Sequence, residues 1–195
     1  MSRIILLVAC LTLESILTAC LPVSSSSPLG TTVSPTPAPL LTGMWKGRLG
    51  TSASAAYIAI YPAHGGMRKI VVLAPPTPND EGGSMVLDAR AAMLGGNTYL
   101  DAREIDDERK APEAKLAHVP VLYRISGDGF LVLYLIDEKA ARMSIEKGAI
   151  AGTVEPGEFG DVRITADPAT LDRFFASNAG RALFTRPLGI LQRVN

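Results

Sequence analysis

From about residue 42 onward the chain is a succession of short apolar runs separated by glycine, proline and acidic residues. The pattern predicts strands over 44–49, 55–61, 69–74, 84–92 and 98–104, each rich in aliphatic or aromatic side chains and bounded by turn residues. The clearest hairpin covers 119–136. Val119, Val121, Tyr123 and Ile125 alternate with Pro120, Leu122, Arg124 and Ser126, and Gly127-Asp128-Gly129 supplies the turn. The returning run, FLVLYLI over 130–136, is apolar at every position. Such a strand must be covered on both faces, so a helix, a tail or a ligand is expected on its outer one. Two helices follow from the pattern. One covers 137–147, from Asp137 as cap to Gly148 as stop. The other starts at Asp167-Pro168, carries the stripe Leu171, Phe174 and Phe175, and ends at Gly180. Strands over 149–154, 161–165 and 188–194 complete the pattern. The fold class is mainly β (a β-rich α+β chain), an antiparallel barrel or sandwich of eight to ten strands with two short helices.

The N-terminus reads differently. Arg3 precedes an apolar run over 4–13, and Glu14 and Ser15 interrupt it before Leu17-Thr18-Ala19-Cys20. This arrangement resembles the type II (lipobox) signal peptide of bacterial lipoproteins. The resemblance implies removal of residues 1–19 and acylation of Cys20 by a diacylglyceryl group and an N-acyl chain such as palmitate. Each buried methylene contributes about 0.8 kcal/mol, so two or three chains hold firmly where one does not. Leu7-Val8-Ala9-Cys10 fits the same box but would leave too short an apolar stretch behind Arg3. Leu21, rather than Asp, follows the cysteine, which implies the outer membrane, facing the periplasm. Two alternatives are a spanning helix, which needs about 20 apolar residues, and a secreted chain cleaved after Ala19 with a free thiol.

Residues 20–41 are mostly Ser, Thr, Pro and Gly, a composition that cannot bury enough apolar surface to offset its ordering entropy. The expectation is a lipidated, disordered tether over 20–41 with a mean reach of about 25 Å, and a single β-rich domain over 42–195. The chain has a formal net charge of zero. A nucleic-acid partner would call for a basic stripe, and none is visible. Its two cysteines, Cys10 and Cys20, leave none for the domain, which must be held by packing alone.

Gly43-Met44-Trp45, at the start of the first domain strand, resembles the Gly-x-Trp of lipocalins and related calycins. The resemblance implies a lipocalin-like up-and-down barrel closed at one end by Trp45, with Arg193 of the last strand lying across the indole. The sequence departs from that family in lacking a Thr-Asp-Tyr motif and in placing its long helix before the last strand. The alternative is that Trp45 is an ordinary core aromatic.

Candidate chemistry is sparse. His64 and His118 have no ligand spacing around them, and His64-Gly65-Gly66 lacks the Gly-x-Ser-x-Gly elbow that would give it an oxyanion role. Asp88 and Asp101 are expected as general acids or as partners of Arg90 and Arg103. The run 106–110 (DDERK) reads as a solvated loop face, and Gly82-Gly83 and Gly95-Gly96 as turns. Tyr57, Tyr61, Tyr123 and Tyr134 are core positions or cavity walls. Ala53, Ala55, Ala56, Ala59 and Ala91 are candidates for small residues around an opening. No catalytic, metal or cofactor site is expected. The leading function is a non-enzymatic, membrane-anchored domain that binds an apolar small molecule, a lipid or an envelope protein. The alternative is an assembly or stress factor, or a hydrolase inhibitor, acting through the loops at 75–83 and 105–115. A hydrolase built from scattered carboxylates is a third reading.

Overall fold

The computed structural model describes residues 22–34, 39–50, 52, 54–77, 81–105, 117–157 and 160–194. Residues 1–19, Cys20, Ala53 and all but the first residue of 105–115 lie outside them. The described chain opens with a short strand, β1 (Ser24–Ser25), and a single 3-10 turn at Pro39–Leu41. Seven strands follow in a meander: β2 (Gly43–Leu49), β3 (Ala55–Pro62), β4 (Met67–Ala74), β5 (Gly83–Leu94), β6 (Asn97–Glu104), β7 (Val119–Ile125) and β8 (Phe130–Leu135). After α1 (Glu138–Glu146), β9 (Gly152–Val154), β10 (Val162–Ile164), α2 (Pro168–Ala176) and α3 (Asn178–Arg181), strand β11 (Arg186–Arg193) returns to the meander. It pairs antiparallel with both β8 and β2, which closes an eight-stranded barrel.

Closure needs close backbone approach between the first and last barrel strands. Gly47 stands opposite Leu191, and a side chain there would run into the Ile190 and Leu191 backbone. The register puts Trp45, Ile58, Ile70, Leu100, Val121, Leu131 and Leu191 in one buried cluster that fills the barrel interior. The mainly β class expected from the strand pattern is what the chain forms, and of the barrel and sandwich alternatives it takes the closed antiparallel barrel that the Gly-x-Trp resemblance implied.

A second core lies outside the barrel. Leu94, Tyr99, Leu122, Tyr134 and Ile136 belong to β5–β8 or follow them, and they pack with Leu171, Phe174, Phe175, Leu183 and Phe184. Tyr99, Phe175 and Phe184 stack pairwise at 5.6–5.8 Å between ring centroids, and the Tyr99 hydroxyl donates to the Phe175 carbonyl at 3.0 Å. Here is the second cover that the FLVLYLI run demands. Capping places the helices. The Asp137 carboxylate accepts from the Ala140 amide at 2.9 Å, and Asp167 accepts from the Ala169 and Thr170 amides.

Two expectations are corrected. The helix expected to run from Pro168 to Gly180 stops at Ala176. Ser177 adopts an extended backbone, donates its hydroxyl to the Phe174 carbonyl and accepts from the Gly180 amide, so it caps a third helix, α3, in which Gly180 is buried. The larger correction concerns the tether. Residues 22–34 are packed onto the domain: β1 pairs in parallel with β10 as the third strand of the β1-β10-β9 sheet, and Val23 and Leu29 are buried in the second core. Leu41 is buried too, against the barrel interior. A domain boundary at residue 42 would cut through both cores.

Candidate functional site

The two ends of the barrel differ. At one end, Trp45 is fully buried and its indole N–H donates to the Leu41 carbonyl at 2.9 Å. Arg193, opposite Trp45 in the register, lays its guanidinium carbon 4.6 Å from the indole centroid. Its two terminal nitrogens donate to the Thr42 and Leu40 carbonyls. One guanidinium thus stacks on the ring and ties down the strand entry, a geometry that favours Arg over Lys. Arg68 is a third polar group on this side that the sequence does not announce. It is placed by register beside Ala89, donates to the Met67 carbonyl, and keeps its Nε buried with no hydrogen-bond partner among the described residues. Burial pushes the Tyr123 phenol upward, while the Arg68 charge pulls it back.

At the far end the interior side chains are aliphatic and only half-buried: Leu49, Val72, Leu87, Val119, Leu135 and Leu188. They come from the C-termini of β2, β4 and β8 and the N-termini of β5, β7 and β11. The other two strands contribute Ala56 and Ala102, which have little volume. The result is a ring of apolar surface, narrow in side-chain bulk and only partly withdrawn from water. A depression of about 240 Å³ adjoins the ring and shares Leu135 and Leu188 with it; Pro22 and Val23 also line it, and Asp137, Glu138 and Arg186 supply its charged groups. Apolar concavities with a few polar rim groups are the usual form of a small-molecule site.

The remaining sequence candidates scatter. Of the alanines, Ala56 and Ala91 point inward, opposite Gly47 and Leu100, whereas Ala55 and Ala59 pair with Arg48 and Met44 on the outer face. Tyr123 is in the packed interior and Tyr134 in the second core; Tyr61 is exposed, and Tyr57 meets the Lys46 ammonium at 5.3 Å. None of these tyrosines lines the far end. Asp88 pairs with Lys69 at 3.0 Å rather than with Arg90. Arg90 instead donates to the Gly30 and Val33 carbonyls. Asp101 sits 2.8 Å from His118 Nδ1, and burial raises its carboxyl above the ordinary range despite that partner. His64 opens a turn between β3 and β4 in which Gly65 and Gly66 take positive φ, the conformation such a reversal requires. Among the described residues no group of three His, Cys, Asp or Glu side chains is placed to hold a metal ion, and no helix is long and apolar enough to cross a membrane.

A residue the sequence reading passed over is Asp172. It is buried on α2, one carboxylate oxygen accepting from the Gly30 amide at 2.6 Å, the other from the Thr32 amide at 3.0 Å and from the Thr32 hydroxyl. Comparison with known proteins finds no matching family model, no matching curated protein and no matching solved structure.

Proposed function

We propose that this chain is a lipid-anchored protein of the cell envelope, held in the outer membrane facing the periplasm, whose barrel binds an apolar molecule at its far end without catalysing its conversion. The observation that carries the binding reading is the ring of six half-buried aliphatic side chains at the far end of the barrel, whereas among the described residues of this cluster the Trp45 end leaves only Ile125 half-buried. Apolar surface left partly in water stabilises whatever covers it by about 25 cal/mol for each Å² withdrawn. The anchor rests on Leu17-Thr18-Ala19-Cys20 and the apolar run before it.

A second reading, a partner-protein module, draws on a different surface. On the outer face, Met44, Val71 and Val86 lie in register on β2, β4 and β5 with Ala59 of β3 between the first two, and Val194 follows β11 beside Met44; Val194, Met44 and Val86 are exposed. An apolar row of this kind suits a protein partner.

The two separate by native mass spectrometry of the chain from residue 20 onward, carrying Cys20→Ser and prepared without detergent. Ligand binding predicts an added mass that organic extraction removes and that Leu188→Glu abolishes. A clean protein mass, unchanged after incubation with a fatty acid, overturns the ligand reading and leaves the outer face as the working surface.

A further inference from the structure

The segment 22–34 is fastened to the domain at five places. β1 pairs with β10, and Ser25 exchanges two backbone hydrogen bonds with His118, at 2.7 and 3.0 Å. Asp172 accepts from Gly30 and Thr32, Arg90 donates to Gly30 and Val33, and Val23 and Leu29 are buried. Gly30 has φ +78°, and a side chain there would collide with Ala92, so the loop is fitted to the barrel wall. These contacts fix where the chain enters the domain. Pro22 lines the depression that shares Leu135 and Leu188 with the apolar ring.

We propose that the far end of the barrel faces the bilayer in which the protein is anchored, and that its occupant is an acyl chain of a lipid from that bilayer. The inference rests on the anchor reading above. Cys20 stands two residues before Pro22. At 3.3–3.6 Å per residue, two residues can carry the backbone at most about 7 Å from Pro22, which lines the depression. That is far less than the mean reach of about 25 Å that a free 20-residue tether would allow. The anchor's acyl chains therefore enter the membrane beside Leu135 and Leu188. Trp45, four residues along β2 from Leu49, points about 13 Å further away at 3.3 Å per residue. A lipid tail is the apolar ligand in greatest local supply at that position, and it matches a ring of six aliphatic side chains, with Asp137, Glu138 and Arg186 at the neighbouring rim where headgroups would lie.

The test uses the full chain, carrying its own anchor, in phosphatidylcholine–phosphatidylglycerol vesicles with dibrominated acyl chains. Intact mass first establishes that Cys20 is acylated. Trp45 is the chain's single tryptophan and serves as the reporter of the distal end. The expected result is no quenching of Trp45 and severalfold quenching of a tryptophan placed in the ring, as Leu49→Trp or Leu188→Trp in a Trp45→Phe background. Two inward positions are used so that misfolding of one variant does not decide the outcome. Acylated protein with an unquenched ring reporter, or with Trp45 quenched as strongly, overturns the inference and leaves the anchor reading intact. A mass without the acyl groups overturns both.

Discussion

Leu29→Ala is the sharpest test of whether the Ser- and Pro-rich segment after Cys20 belongs to the folded unit. Leu29 is 0% exposed and packs in the second core, although its neighbours in sequence look like linker. Withdrawing a leucine side chain from water contributes about 1.5–3 kcal/mol. Truncation to alanine in a site that cannot collapse raises the loss to about 2–5 kcal/mol. Collapse is hindered here because Arg90 and Asp172 hold Gly30, the next residue, on both sides. With a urea dependence of about 2 kcal/mol per molar, the unfolding midpoint should fall by about 1–2.5 M. Urea titration of the chain from residue 20 onward, followed by Trp45 fluorescence and far-ultraviolet circular dichroism, reads this directly. Leu40→Ala is the control, because Leu40 is 67% exposed, and it should change stability by less than about 0.5 kcal/mol. A Leu29→Ala midpoint indistinguishable from that of Leu40→Ala would refute the reasoning and return residues 22–34 to the tether.

Three further outcomes are expected. Arg193→Ala removes a cation–π contact and two carbonyl ties at once, and should cost about 2–4 kcal/mol while altering Trp45 near-ultraviolet dichroism; Arg193→Lys should recover only part of the loss. The Asp101 carboxyl is raised above 3.8 in the folded state by burial, so the native chain holds its proton more tightly than the unfolded one. Stability from this group is therefore full below the ordinary carboxylate pKa and is lost as pH rises through the raised folded value. Asp101→Asn should gain on the parent as pH rises above about 4, and a gain that shrinks as pH begins to rise in urea titrations would contradict the assignment. The Tyr99 phenol, raised to about 12 mainly by burial, should be the last tyrosine to ionise in an ultraviolet titration, and Tyr99→Phe should cost about 1–3 kcal/mol by leaving the Phe175 carbonyl unpaired.

The strands were legible because each one carries its own signal. The alternation from Val119 to Ser126, the glycine turn after it and the uniformly apolar FLVLYLI run describe a hairpin and its double cover without reference to anything distant. Trp45 and Arg193 were legible only through the resemblance to lipocalins, since nothing local pairs residues at opposite ends of a chain. The docked segment was not legible. SSSSPLG has the composition of a linker, and its polar backbone is satisfied by Arg90, Asp172 and His118, far away in sequence. One signal did exist. Asp172 lies three residues before Phe175 and next to Leu171, so a carboxylate falls on the apolar stripe of a helix. A buried carboxylate needs donors, and here those donors are the Gly30 and Thr32 amides of the docked segment. Of the described alanines expected around an opening at one end, only Ala56 falls inward at the far end; Ala91 is inward too but fully buried toward the Trp45 end. The leucines and valines that form the far-end ring were read simply as strand residues, because exposure at one end of a barrel is set by closure and not by local pattern.

The position of β11 also governs how the chain must fold. Seven barrel strands are complete by Leu135, yet the edges of β2 and β8 have no partner until Arg186–Arg193 has been made, after three helices and two strands of the small sheet. During synthesis those two edges stay open the longest, each a row of free amides and carbonyls beside apolar faces. Pairings between Trp45 and Arg193 close a loop as long as nearly the whole domain, which belongs to the slow class of folding events. A chain of this design depends on protection until Arg186–Arg193 arrives, and loss of that strand would leave an aggregation-prone sheet rather than a smaller barrel.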